Sequence, residues 1–135
     1  MKRSIVTVKN VEPLRPVLIC GALFALLAVM AGAFGAHGLR GVLGDRGLEV
    51  FQTAVTYQVY HSLALILVAI LPLTGLSRNL LGIAAGFFVA GILLFSGSLY
   101  LLVLTDIRWV GPVTPVGGIG FMMGWILVAI SGFRR

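Results

Sequence analysis

The sequence predicts an all-α integral membrane protein, folded as a four-transmembrane-helix up-down bundle. Three observations carry this reading. Hydrophobic residues make up 59% of the 135-residue chain and charged residues 10%, against roughly 45–50% and about 25% in soluble domains. The mean hydropathy of +1.09 leaves too little polar surface to coat a soluble fold. Four apolar segments, residues 17–36, 51–71, 82–104 and 113–133, have the ~20 residues that a helix needs to cross a hydrocarbon core about 30 Å thick. Spanning strands are excluded, because nothing alternates with a two-residue period over the length of a barrel strand. A soluble enzyme is excluded with them.

Residues 1–16 read as a basic cytoplasmic tail, and residues 17–135 as the four-helix transmembrane domain. The first apolar run is longer than the 7–15-residue hydrophobic region of a signal peptide, and a stretch holding Pro13 and Pro16 precedes it. It is therefore expected to stay as a span. Cys20, the one cysteine, lies inside it, so no intrachain disulfide can form; a lone thiol there is a small apolar filler.

The second segment is unusual, because its first half is polar and only residues 63–71 are continuously apolar. Nine residues cannot cross a bilayer. At 100° per residue Gln52, Thr56 and Tyr60 share one face, with Thr53, Tyr57 and His61 beside it. Such a helix is expected to cross only with that face turned inward; the alternative is that residues 51–62 lie in the interface, leaving three spans. Charge arbitrates. Four spans with the N-terminus inside put Lys2, Arg3, Lys9, Arg15, Arg78, Arg134 and Arg135 on the cytoplasmic side and Arg40, Arg46 and Arg108 outside. Seven against three obeys the positive-inside rule, whereas three spans give five against five.

The third and fourth segments are apolar throughout, and short connections make consecutive helices antiparallel neighbours. Small residues four apart let helix backbones approach closely in lipid. Gly32 follows Ala28 in the first helix, Gly82, Gly86 and Ala90 line the third, and Gly120 and Gly124 the fourth. These glycines are expected to form the packing seams. Pro112 and Pro115 suit the first turn of the last helix, and Trp109 and Trp125 are placed to reach the two interfaces.

Few residues are suited to chemistry. His37 sits near the outer end of the first helix and His61 ten residues into the second, up to about 15 Å apart in depth. No Cys, His, Asp or Glu spacing supports a metal or haem, so neither a metal nor any other cofactor is expected. No acidic residue lies within the four segments, although ion-coupled exchangers keep a carboxylate at membrane depth. Ser96 and Ser98 lack a nucleophile elbow and a nearby acid. Their expected work is hydrogen bonding between helices, and no catalytic residue is assigned. The basic residues sit in the tail and connections, not on one face interleaved with aromatic residues, which excludes nucleic acid as a partner.

Four blocks of sequence, residues 32–39 (GAFGAHGL), 51–65 (FQTAVTYQVYHSLAL), 94–100 (LFSGSLY) and 114–118 (TPVGG) with Gly124 and Trp125, resemble the YgdD/YwdK-type family of small inner-membrane proteins. A eukaryotic transmembrane-protein family is similar in the same pattern. The resemblance covers residues 17–133 in the expected order. It implies a four-helix membrane domain of unknown function, with no reaction or ligand to carry over. The polar residues in these blocks, His37, Gln52, Thr53, Tyr57, His61, Ser96, Ser98 and Tyr100, are expected to form one interhelical core.

Two functions are compatible with such a core. One is a structural or partner-binding component of the cell (inner) membrane, its partners being the lipid bilayer and a membrane-protein partner or a homo-oligomer. The other is a small transporter or channel that uses the core around His61 as a path. The missing acid favours the first. The charge count also makes a direct prediction of topology: reporter fusions after Ser77 and after Arg135 both read inside, and an outside C-terminus rejects the four-span arrangement.

Overall fold

The computed structural model describes residues 11–134. Four stretches within it are long and apolar enough to cross a membrane: Arg15–His37, Asp45–Thr74, Arg78–Thr105 and Arg108–Phe133. The first is helix α1 (Arg15–His37) and the second is α2 (Asp45–Ile70), closed by a 3-10 turn over Leu71–Thr74. The third is composite, running from α3 (Arg78–Gly91) through a π turn (Ile92–Ser96) into α4 (Gly97–Thr105). A 3-10 turn at Arg108–Val110 leads to α5 (Val113–Phe133).

The ends of these helices follow from local sequence. Pro16 occupies the first turn of α1, where its missing N–H is not needed. The N–H of Leu14 donates to the Ala69 carbonyl at 2.8 Å, fastening the start of α1 to the end of α2. The Arg78 guanidinium donates to the Glu12 carbonyl at 2.6 Å, tying the start of the third span to the same place. Gly75, at φ +88°, turns the chain after α2, and Ser77 caps α3 by accepting from the Leu80 N–H. Asp106 ends α4 in a left-handed conformation, φ 53°, which its short polar side chain tolerates. Pro112 and Pro115 stand at the threshold and first turn of α5.

α2 begins six residues before the apolar segment, so Asp45, Arg46 and Glu49 belong to its first turns and not to a connection. It runs unbroken across residues 51–62 and packs against α1, α3, the π turn and α4. This span is the most buried of the four. The inward face of α2 is not the one its polar residues suggested. Gln52, Thr56 and Tyr60 are exposed, whereas Phe51, Ala54, Gln58, His61, Leu65 and Val68 are buried. The inner face simply continues, at spacings of three and four, the apolar stripe of the helix's second half.

α5 lies against α3 and the π turn. Leu65, Val68, Leu81, Ala85, Phe88, Ile92 and Phe121 make the main apolar core, and Leu39, Phe51 and Val55 a second cluster where α1 ends and α2 begins. Close approach between helices occurs at fewer of the expected glycines, and at others besides. A Cβ on Gly124 would meet the Phe88 ring at 2.5 Å, one on Gly120 the Phe87 carbonyl at 3.4 Å, and one on Gly32 the Val55 side chain at 3.4 Å. Gly82 and Gly86 face open space, with nothing within 4 Å of the added atom, so the expected seam along α3 is not a contact among the described residues. The tightest approach is at Gly117, where a Cβ would overlap the backbone nitrogen of Phe95 inside the π turn. Neither backbone can yield there without moving a helix.

These contacts predict opposite effects at two glycines. Gly117→Ala should lower thermal stability in detergent, costing about 1–3 kcal/mol as overpacking. Gly86→Ala should be neutral or stabilising, by up to about 1 kcal/mol, because alanine is the better helix former. Equal loss at both sites refutes this assignment of the seams.

Candidate functional site

The buried polar residues of the membrane domain gather along the inner face of α2. Gln58 is the centre of one group. Its side-chain N–H donates to the Phe24 carbonyl in α1 at 2.9 Å, and its side-chain oxygen accepts from the Tyr100 hydroxyl in α4 at 2.7 Å. One amide thus joins three spans. One turn earlier on α2, the Ala54 carbonyl accepts from the Ser96 hydroxyl at 2.7 Å. One turn later, the Ser62 hydroxyl donates to the Gln58 carbonyl at 2.5 Å. The spacing of four places all three positions on the same line of the helix.

His61 is the centre of the second group. Its Nδ1 lies 2.8 Å from the Tyr57 carbonyl, and its Nε2 lies 3.1 Å from Nε1 of Trp125. A carbonyl can only accept and an indole N–H can only donate. The imidazole is therefore the neutral tautomer carrying its proton on Nδ1. Its ring stacks on Phe121 with centroids 3.5 Å apart and planes 10° apart, and Phe88 and Trp125 close the remaining sides at 5.6 and 6.1 Å. Tyr57 continues the aromatic row against Phe95 at 4.6 Å.

A third, smaller link joins the start of α4 to α5. The Ser98 hydroxyl donates to the Phe95 carbonyl at 2.9 Å and so accepts from the Thr114 hydroxyl at 2.5 Å. Within the π turn itself the Gly97 N–H reaches back five residues to the Ile92 carbonyl, the wide spacing that defines such a turn.

Of the eight polar residues expected in one core, four lie in this network: His61, Ser96, Ser98 and Tyr100. Four do not. Tyr57 is 39% exposed and gives the network only its backbone carbonyl, its ring lying against Phe95. His37 is exposed in the last turn of α1, Gln52 is exposed on the outer side of α2, and the Thr53 hydroxyl donates locally to the Glu49 carbonyl at 3.0 Å. His37, Gln52 and Thr53 lie where α1 ends and α2 begins. Two members of the network were not expected. Gln58 lies on the line through Ala54, His61 and Leu65, so the three-and-four spacing of the apolar stripe was the signal for it. Trp125 was expected at an interface and instead stands in the middle of α5, bonded to His61; nothing in its flanking residues distinguishes the two places.

An open groove of about 330 Å³ between α1 and the third span reaches the first group, with Gln58, Ser96 and Tyr100 among its lining residues. His61 is not among them. The Gln58 junction makes a prediction of its own: Tyr100→Phe removes one partner of a buried amide and should cost about 1–2 kcal/mol of stability, read as a lower melting temperature in detergent. An unchanged melting temperature refutes the joint.

Comparison with known proteins places the chain. Residues 31–118 match the family model described as a protein of unknown function (DUF423). A UPF0382 membrane protein of Staphylococcus aureus (strain bovine RF122 / ET3-1) is 47% identical over 117 residues, covering 87% of this chain and 94% of that protein. The UPF0382 membrane protein YwdK of Bacillus subtilis (strain 168) is 44% identical over 123 residues, covering 90% and 98%. No solved structure matches significantly. With a family model spanning its helices from the end of α1 to the start of α5, and relatives matched over nearly their whole length, the chain is a member of the DUF423/UPF0382 family of membrane proteins, whose function is unknown.

Proposed function

We propose that the protein is a structural or partner-binding component of the cell (inner) membrane, with both termini cytoplasmic, and that it is neither an enzyme nor a conduit. The observation that carries this reading is that its buried polar groups are used up in joining spans. Among the described residues, no buried side-chain nitrogen or oxygen lacks a hydrogen-bond partner. Gln58 uses both ends of its amide, and His61 uses both ring nitrogens. A proton relay needs a nitrogen that can take a proton and pass it on; here Nε2 is occupied by a donor and Nδ1 by a carbonyl. A serine nucleophile needs a base to take its proton, but the Ser96 and Ser98 hydroxyls donate to backbone carbonyls. The orientation rests on the seven-to-three excess of basic residues on the inner side.

Substitution of His61 separates this reading from transport. His61→Gln can still donate to the Tyr57 carbonyl and accept from Trp125, so it should keep most of the wild-type thermal stability. His61→Leu leaves the indole N–H unpaired and should cost about 1–2 kcal/mol. Proteoliposomes subjected to a pH jump should show no proton flux beyond protein-free vesicles. Flux through the wild type that disappears in a stable His61→Gln variant would sink the structural role.

A further inference from the structure

The charge of the chain is gathered at one end of the bundle. Where α1 and α3 begin and α5 ends, the described residues include Arg15, Arg78 and Arg134, with Glu12 as the one acid. The ten residues that precede them add three basic side chains and no acid. At the other end Arg40, Arg46 and Arg108 are balanced by Asp45, Glu49 and Asp106. α1 and α3 also turn their N-termini to the basic end, and neither has an acid in its first turn, so two positive helix ends add to the arginines.

Arg78 stands between these two helix starts. Its Nη1 donates to the Glu12 carbonyl at 2.6 Å and to the Pro13 carbonyl at 3.4 Å. Glu12 therefore takes part through its backbone and not its carboxylate. Both bonds come from one nitrogen, so among the described residues the rest of the guanidinium fork stays available to an acceptor.

α1 and α3 both pack on α2, and between them lies an open groove of about 500 Å³. Val17 and Cys20 line it from α1, and Gly82, Gly86, Ala90 and Leu93 from the third span; all of its lining residues are apolar. A Cβ at Gly82 or Gly86 would meet nothing within 4 Å, so these glycines deepen the groove instead of drawing helices together. Beyond Leu93 the lining changes, with Ser96 and Tyr100 entering the groove that reaches Gln58. The apolar stretch from Gly82 to Leu93 is about 16 Å long, half of a hydrocarbon core about 30 Å thick. A transmembrane helix needs a seam about twice that length. An acyl chain of one leaflet does not.

We infer that this groove holds an acyl chain of an anionic phospholipid, whose phosphate sits on Arg15 and Arg78. Two features select that occupant: the groove has the length of one leaflet, and its polar end is basic. A zwitterionic lipid or a helix would use the first without the second, and a free anion the second without the first. The planar fork of Arg78 matches phosphate oxygens, and basic sites between spans bind anionic headgroups in this way. The site is separate from His61 and stands whatever His61 does.

Native mass spectrometry of the full-length protein, titrated with phosphatidylglycerol and with phosphatidylcholine of the same acyl chains, tests this. The wild type should bind phosphatidylglycerol about tenfold more tightly, and Arg15→Gln and Arg78→Gln should each reduce that preference about fivefold. Gly86→Leu fills the groove and should remove most of the phosphatidylglycerol binding. Equal affinity for the two lipids overturns the proposal, and so does undiminished binding in a folded Gly86→Leu variant. Displacement of the lipid by an equal concentration of glycerol phosphate would mean a headgroup site without the groove, and overturns it as well. So does a stoichiometric disulfide in native membranes from Gly82→Cys, on a Cys20→Ala background, to another polypeptide.

Discussion

One constraint governs this small bundle: a polar group inside hydrocarbon must find its partner within protein. The Gln58 amide meets it by reaching a backbone carbonyl in α1 and a phenol in α4 at once. α1 packs along α2, but its hydrophobic side chains mostly face outward and it is the least buried span. Apolar burial gives little net attraction between helices already surrounded by lipid tails. What fixes α1 is therefore the amide midway along it, the Leu14 and Arg78 bonds at its N-terminal end, and the close backbone approach at Gly21. The polar network positions helices that hydrophobicity alone would leave free to drift.

The two polar groups differ in chemical character. Around Gln58 the bonds run between backbone carbonyls and uncharged side chains, and a groove leaves them near lipid. Around His61 the imidazole is enclosed by aromatic rings, and its two ring nitrogens join a carbonyl of α2 to the indole of α5. Both arrangements satisfy the same rule with residues that carry no net charge.

Most of the architecture was legible from the sequence because its causes are local: apolar length sets the spans, charge sets their proposed direction, and prolines and Ser77 mark helix starts. The inner face of α2 is not legible from polarity alone, because polarity marks the buried side only when a helix has one polar stripe, and α2 has two. The phase of Leu65 and Val68, carried back through His61 to Gln58 and Ala54, identifies the buried one. The seam expected at Gly82 and Gly86 failed because small residues permit close approach without requiring it. Contact at Gly117 depends on the path of another helix, which no spacing within α5 encodes.

The π turn at Ile92–Ser96 amounts to one residue more than a regular helix would hold over the same rise. Loss of a single residue there would let the turn close into an α-helix over the same rise, and the helix on either side would keep its facing. A residue lost between the turn and Tyr100 has no such slack and would rotate everything beyond it by about 100°. Tyr100 would swing away from Gln58 while the span remained long and apolar enough to insert. The register of this segment is therefore as much a part of the fold as its side chains. Point substitutions on its lipid face should be absorbed, whereas a deletion beyond the turn would disconnect two helices without disturbing membrane entry.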